Sequence, residues 1–324
     1  MIPGVTGGPG APDGYDELNR YTRVIVDEAL RRGIEVEVLD ADAGELAMVR
    51  NGRRITTFES LSELTSAVAF RRCDHKVCTR QVLERAGLRV APGRLASNDD
   101  DDLAFLVECK DLVVKPARGE GGQGLTVGVT EPDELGQAIA VAEAVWSEVL
   151  LEQRCDGEDL RIVVIADEVV AASVRRPPTV TGNGRHTVSE LVESLSRGRA
   201  EATQGAARIP LDATTLAVVR ASGCEPDTVL DDDEVLAVRR TANVHTGGSI
   251  DDVTSHLHPR LAEVAVAAAR AIDIPVVGVD LMVDAVDGPD YTIIEANEQP
   301  GLANHEPQPT VERFIDLLFP ESAG

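Results

Sequence analysis

Lysine is nearly absent: of the 31 basic residues only Lys76, Lys110 and Lys115 are lysines. Where arginine is the default cation, a retained lysine marks a place where a compact ammonium is wanted. Aromatic residues are also scarce, at 3%, so a core must be assembled from Val, Leu, Ile and Ala, which the 43% hydrophobic content allows. Positive charge is heavily outweighed. The formal net charge of −25 gives a surface that repels nucleic acid and anionic membranes. Such acidity with so little lysine fits a halophilic cytoplasm or, equally, the codon bias of a GC-rich genome. Long apolar runs are missing, and no stretch reaches the roughly 18 residues that a membrane helix needs. The opening Met-Ile-Pro-Gly-Val-Thr-Gly-Gly has no basic start and no apolar segment, which argues against a signal peptide. Its glycine and proline suggest a frayed end or a cut from a longer chain. The cysteines, Cys73, Cys78, Cys109, Cys155 and Cys224, are odd in number and contain no C-x-x-C pair. That argues against a disulfide framework or zinc site and points to a reducing, cytoplasmic compartment.

What is present is a mixture of short strands and amphipathic helices on a chain long enough for two domains. Residues 16–32 have helical spacing ending near Gly33, followed by a strand at Glu35–Asp40 and a hairpin around Asn51-Gly52. Asp74 has the character of an N-cap and Gly87 that of a stop, bracketing a helix that carries Lys76. The acidic run from Ser97 to Asp102 reads as a solvated turn. Strands are expected at 112–115, 125–129, 149–152, 160–165, 276–283 and 291–296, and helices open at Pro132 and Pro259. Thr187-Val-Ser-Glu190 is a capping box. The elements do not alternate as β-α-β-α, so the expected class is α+β with largely antiparallel sheets.

Residues 119–124, Gly-Glu-Gly-Gly-Gln-Gly, match G-x-G-x-x-G. A dinucleotide fingerprint requires a helix after that loop, whereas Leu125-Thr-Val-Gly-Val reads as a strand. The loop therefore belongs at the tip of a hairpin. There it can fold over a triphosphate and donate backbone N–H groups, or it can be a surface hairpin with no ligand. Lys115-Pro116 immediately before it favours the phosphate reading.

Asp280 and Glu295 stand equally far from the turn at Asp287-Gly288, so a symmetric hairpin makes them cross-strand neighbours. Like charges at that spacing are destabilising unless something positive lies between them. Asn297, two residues on, shares the face. Two carboxylates and an amide oxygen suit Mg²⁺ held jointly with substrate phosphates. The alternative is a register differing by one, with both acids solvated.

Taken in order, Asp74-His-Lys76, Val113-Val-Lys115-Pro116, the 119–124 loop, Leu151-Glu-Gln with Asp156-Gly-Glu-Asp159, Asp280 and Glu295-Ala-Asn297 resemble the ATP-grasp superfamily over about 74–306. Gly182 to Leu191, Arg239 to Gly248 and Asp252 to Pro259 are similar to the ligase half of cyanophycin synthetase. Glu295 to His305 and Glu59 to Ser66 are more similar to N-acetylglutaminylglutamine synthetase. The Mur-ligase-like domain of the former and the acetyltransferase of the latter have no counterpart here, and the segment before the ATP-grasp part looks short. The resemblance implies an ATP-grasp fold with a pre-ATP-grasp segment at 1–73. A small lobe with the glycine loop would take 74–148, and a C-terminal lobe with the metal site 149–324, with ATP lying between the lobes.

It further implies ATP and Mg²⁺, or Mn²⁺ in its place, as cofactors. Lys76, Lys115 and the backbone at Gly119, Gly121, Gly122 and Gly124 are expected at the phosphates. Glu152, Gln153 and Cys155 are expected at adenine, Asp159 at the ribose, and Asp280, Glu295 and Asn297 at the metal. Arg161, Arg240 and the backbone at Gly247-Gly248 are candidates for steadying the tetrahedral intermediate, and His245 and His305 for touching substrate. The implied activity is ADP-forming ligation of a carboxylate to an amine through an acyl phosphate. The expected partners are amino acids or acyl-amino acids, and homo-oligomerisation is compatible with the sequence. An N-acetylglutaminylglutamine-type dipeptide is the leading product, with cyanophycin- or glutathione-type ligation as the alternative. A rival of another class is an ATP-binding module without turnover, which the complete acid–acid–Asn set disfavours.

Overall fold

The computed structural model describes residues 10–202, 207–242 and 246–322. After a 3-10 turn (Tyr15–Glu17), helix α1 spans Arg20–Arg31, followed by strands β1 (Glu35–Asp40), β2 (Glu45–Arg50), β3 (Arg53–Phe58) and β4 (Leu61–Ser62). Helices α2 (Ala67–Asp74) and α3 (Lys76–Arg85) lead into β5 (Gly93–Leu95), α4 (Asp100–Cys109), β6 (Leu112–Pro116), β7 (Thr126–Val129), α5 (Pro132–Glu143) and β8 (Val149–Gln153). Then come β9 (Glu158–Ile165), β10 (Glu168–Arg176), β11 (Thr179–Thr181), α6 (Val188–Ala202), α7 (Ala213–Ala221), β12 (Val235–Ala237) and β13 (Ser249–Asp252). The chain continues with α8 (Pro259–Ile272), β14 (Val276–Val283), β15 (Tyr291–Asn297) and α9 (Thr310–Leu318). This is the α+β class expected from the sequence. Among the described residues no helix is long and apolar enough to cross a membrane.

The chain divides into two compact units. The first takes in the chain up to Val90, Leu160–Ser173, and everything from Asp252 onward; the second takes in Ala91–Asp159 and Val174–Asp251. Strands pair in the orders β1-β2-β3-β4, β13-β10-β9-β14-β15, β11-β12 and β5-β8-β6-β7.

In the first unit, Asn51 and Gly52 both take positive φ (51° and 78°), the two-residue turn whose twist suits an antiparallel hairpin. Ile25 and Val26 of α1, Leu46 and Met48 of β2, Ile55 of β3, Val163 and Ile165 of β9, and Phe314 of α9 share one core. It is mainly aliphatic, as the composition requires, although Phe314 and Phe319 are among its largest buried side chains. Helix α1 begins later than the spacing suggests, because the Asn19 side chain accepts from the Thr22 N–H at 3.0 Å and caps it there. Asp74 is not an N-cap. It closes α2, whose own cap is Ser66, and His75 alone separates the two helices.

In the second unit, α4 and α5 bury Leu106, Leu135 and Ile139 with Leu112, Val114 and Leu151 of the sheet. A second core joins Val180, Val188, Val192, Val219 and Leu236. It is entered through the expected capping box, with the Glu190 N–H donating to Thr187 Oγ1 at 3.3 Å and the Thr187 N–H to Glu190 Oε2 at 2.9 Å.

The acidic run before Asp102 is not a solvated turn. Asp99 caps α4, and Asp100, Asp101 and Asp102 fill its first turn, where the helix dipole favours negative charge. Asp102 is 2% exposed and accepts from the Ser97 and Asn98 N–H groups at 2.9 and 2.8 Å. Replacing Asp102 with Ala orphans those donors. The expected loss is about 1–3 kcal/mol, measured by urea unfolding, while Asp100→Ala on the solvated side changes little.

Candidate functional site

In the first unit the chemistry gathers on the β14–β15 hairpin. Near its turn Val283 pairs with Tyr291 and Leu281 with Ile293; a bulge then shifts the register, so that Asp280 lies opposite Glu295 and Gly278 opposite Asn297. The expected juxtaposition is present, but it arises from an extra residue at Ile294 rather than from hairpin symmetry. Bulges commonly re-aim side chains in this way.

Both acids carry a protein cation. Arg161, from β9, forks onto Asp280, with Nε to Oδ1 at 2.5 Å and Nη2 to Oδ2 at 2.6 Å. Asn297 Nδ2 donates to the same Oδ2 at 3.3 Å. Lys76 Nζ lies 3.0 Å from Glu295 Oε1. Lys76 opens α3, where the helix dipole disfavours a cation, and the carboxylate of Glu295 offsets part of that cost. The opposed acids therefore have the positive charge they need. The donor set is chemically suited to a hard divalent ion, which prefers carboxylate and amide oxygens and completes its shell with water or phosphate. Among the described residues no group of three or more His, Cys, Asp or Glu side chains gathers around a metal position. Nearby Cys73 is buried; burial, with Glu298 and Glu295 adding to it, pushes its thiol well above the ordinary range.

In the second unit the glycine loop joins antiparallel β6 and β7, confirming a hairpin tip and excluding a strand–loop–helix dinucleotide fold. Gly119, Gly121, Gly122 and Gly124 take φ of 138°, 64°, 78° and 68°, conformations that side chains disfavour. Gly124 also has backbone and Val145 within 3.3 Å of where a Cβ would stand, so its smallness is required at the base of the loop.

On β6 and β8, Val113 pairs with Glu152. Lys115, two residues on, projects from the same face and meets the Glu152 carboxylate in a close ion pair. Both residues are buried, at 6% and 3% exposure. At the end of β8 the backbone is already engaged: the Gln153 N–H donates to Pro92 O at 2.8 Å and the Arg154 N–H to Asp111 O at 3.0 Å. Cys155 Sγ donates to Gln153 O at 3.7 Å. Asp159 accepts from Arg175 Nη2 at 2.6 Å and Nε at 3.1 Å.

Arg240 is placed against the glycine hairpin, donating to Val127 O at 2.7 Å. It packs so closely on Gly128 that a Cβ there would stand 2.2 Å from its Nη1. Gly247 is pressed against Ile209, and Gly248 O accepts from Arg199 Nη1 at 3.1 Å. His305, in the first unit, is buried with Nδ1 3.4 Å from Ser173 Oγ. His245 lies outside the described residues.

Two participants escaped the sequence reading. Arg175 braces Asp159; the signal was a pair of acids and a pair of arginines at the far ends of one hairpin, whose turn at Ala166-Asp167 takes positive φ of 51° and 65°. Gly278 lies under Arg161, with Cδ and Pro300 Cβ each 3.2 Å from its absent Cβ. A lone glycine in an apolar strand, two residues before Asp280, was the clue that the backbone is closely approached there.

The chain matches the family described as a RimK-like ATP-grasp domain over residues 73–188 and 228–317. It belongs to that family. Among curated proteins it is 32% identical to a cyanophycin synthetase of Geminocystis herdmanii, covering 94% of this chain and 37% of that one. It is 27% identical to a glutathione biosynthesis bifunctional protein of Clostridium perfringens, covering 94% and 42%. The chain thus spans about two fifths of the length of the curated relatives it matches. A bifunctional glutathione synthetase from Pasteurella multocida superposes with a TM-score of 0.66 at 24% identity, over 95% of this chain and 44% of that one, which shows the shared fold.

The buried Lys115–Glu152 pair generates a direct test. Glu152→Ala leaves a buried ammonium uncompensated and should cost about 3–5 kcal/mol in urea unfolding. The double change Lys115→Met with Glu152→Leu should recover most of that loss, because it removes both charges.

Proposed function

We propose that this chain is an ATP-dependent carboxylate–amine ligase, forming an amide bond through an acyl phosphate with release of ADP and phosphate. The observation that carries this reading is the bulged β14–β15 hairpin, which opposes Asp280 and Glu295 beside Asn297 within an ATP-grasp domain. Binding of ATP alone does not call for two metal-ligating acids.

In this reading Asp280, Glu295 and Asn297 would hold magnesium, which would supply positive charge against the negative charge of the triphosphate. Lys76 and Lys115 contact the phosphates, and the glycine hairpin covers them with backbone N–H groups. Glu152 and the Gln153–Cys155 backbone face adenine. Asp159, oriented by Arg175, takes the ribose hydroxyls.

The substrate carboxylate oxygen attacks the γ-phosphorus and ADP leaves. The amine then attacks the acyl carbon, loses a proton, and phosphate departs. Arg161 and Arg240 supply cationic donors to the charge that builds on oxygen.

Both substrates are proposed to be amino acids or acyl-amino acids. Relatives named for cyanophycin and glutathione synthesis support that class. The Glu295–His305 segment favours N-acetylglutamine with glutamine as the first pair to try, and the segments around Gly182 and Arg239 keep cyanophycin-type ligation as the second.

The test is ADP and phosphate release from Mg-ATP with a panel of acyl-amino acids and amino acids. Release is expected only when an acid and an amine are both present. Release indifferent to amino acids, or none with any pair, would overturn the ligase reading. Glu295→Ala should leave the melting temperature within a few degrees while turnover falls by orders of magnitude; more than about 10% residual activity contradicts a metal role.

A further inference from the structure

Arg161 fills a particular place. Its stem lies over Gly278, where a Cβ would be 3.2 Å from Cδ and 3.4 Å from Nε, and its guanidinium forks onto Asp280 at 2.5 and 2.6 Å. Gly278 has no positive φ to explain it, so glycine is present for space. The strand has given up a side chain to seat this arginine. Asp280 is 4% exposed and, with Asn297 donating to Oδ2, both its oxygens are engaged. A carboxylate so enclosed cannot stay charged at low cost without a cation beside it.

Resting on the reading of Asp280 as a metal ligand, we propose that Arg161 is an exchangeable counter-ion. It holds the Asp280 carboxylate in the metal-free protein, yields it when a divalent cation binds, and is thereby freed to act on the transferred phosphoryl and acyl groups. The fork uses both Asp280 oxygens, so arginine and metal compete for the same lone pairs. Lys76 stands in the same relation to Glu295 at 3.0 Å, but as a single-point contact on a partly exposed acid it competes less. The arrangement keeps two opposed acids from repelling each other before metal arrives. It also couples metal arrival to release of a cation, so Arg161 becomes available only once the metal site is filled.

The test is direct binding of Mn²⁺ alone, followed by the loss of the free-ion paramagnetic resonance signal, with no nucleotide or substrate. Arg161→Met should bind Mn²⁺ more tightly than the unmodified protein, by about tenfold or more, because the competing cation is gone. Its melting temperature should be lower without metal and rise further on adding Mn²⁺ than that of the unmodified protein. Arg161→Lys, which keeps the charge but not the fork, should fall between the two and covers the case in which the methionine variant does not fold. Adding Asp280→Asn to Arg161→Met should abolish the gain. If the unmodified protein and both Arg161 variants bind Mn²⁺ equally, the exchange is wrong while the metal site stands. If none binds, the metal reading falls and the exchange with it. Weaker binding in the variants would make Arg161 a support for the site, not a competitor, and would also overturn the proposal.

Discussion

Two carboxylates face each other across β14 and β15, and much of the first unit is arranged around that repulsion. Asp280 and Glu295 are direct cross-strand partners, a pairing that costs free energy unless positive charge is supplied. Arg161 reaches in from β9 and Lys76 from the first turn of α3 to supply it. Gly278 gives up its side chain so that the arginine can lie flat on the strand. The start of α3 bears a cation against its own dipole. These local choices are unfavourable in isolation and intelligible only as responses to the opposed acids.

The second unit shows the same logic in buried form. Lys115 and Glu152 lie on neighbouring strands with almost no exposure, a pair whose desolvation cost offsets much of its attraction. Asp159 and Arg175 repeat the motif closer to solvent. Of the chain's three lysines, two are committed to these acids. The third, Lys110, ends α4 in a left-handed conformation with φ of 67°.

Glycine does two kinds of work. In the 119–124 loop it permits positive φ at four positions, so that the chain can reverse between β6 and β7. At Gly278 and Gly128 it makes room for an arginine: Arg161 over the first, Arg240 over the second. The first use is written in local sequence as a dense run of glycines. The second appears only when a residue far away in sequence is found pressed against the strand.

Several features could be read from the chain alone because their causes are local. The 35–40 strand, the Asn51-Gly52 turn, the Pro132 and Pro259 helix starts, the Thr187 capping box and the hairpin setting of the glycine loop depend on residues within a few positions of one another. The shared face of Asp280, Glu295 and Asn297 was legible too, because residues two apart on a strand project to the same side. What failed were features decided by packing. Asp74 looked like a cap until α2 was seen to run through it, and the acids around Asp100 looked solvated until Asp102 was found buried beneath two backbone donors. The register that opposes Asp280 to Glu295 depends on a bulge at Ile294, which hairpin symmetry reached only by coincidence. The pairing of Arg161 with Asp280 and of Lys76 with Glu295 lies beyond local reading, since Coulomb attraction and excluded volume act on distance in space. The sequence determined which charged residue types were present; the tertiary structure decided which cation each of the opposed carboxylates holds, because only folding brings Arg161 to Asp280 and Lys76 to Glu295, charges more than a hundred residues apart, within reach.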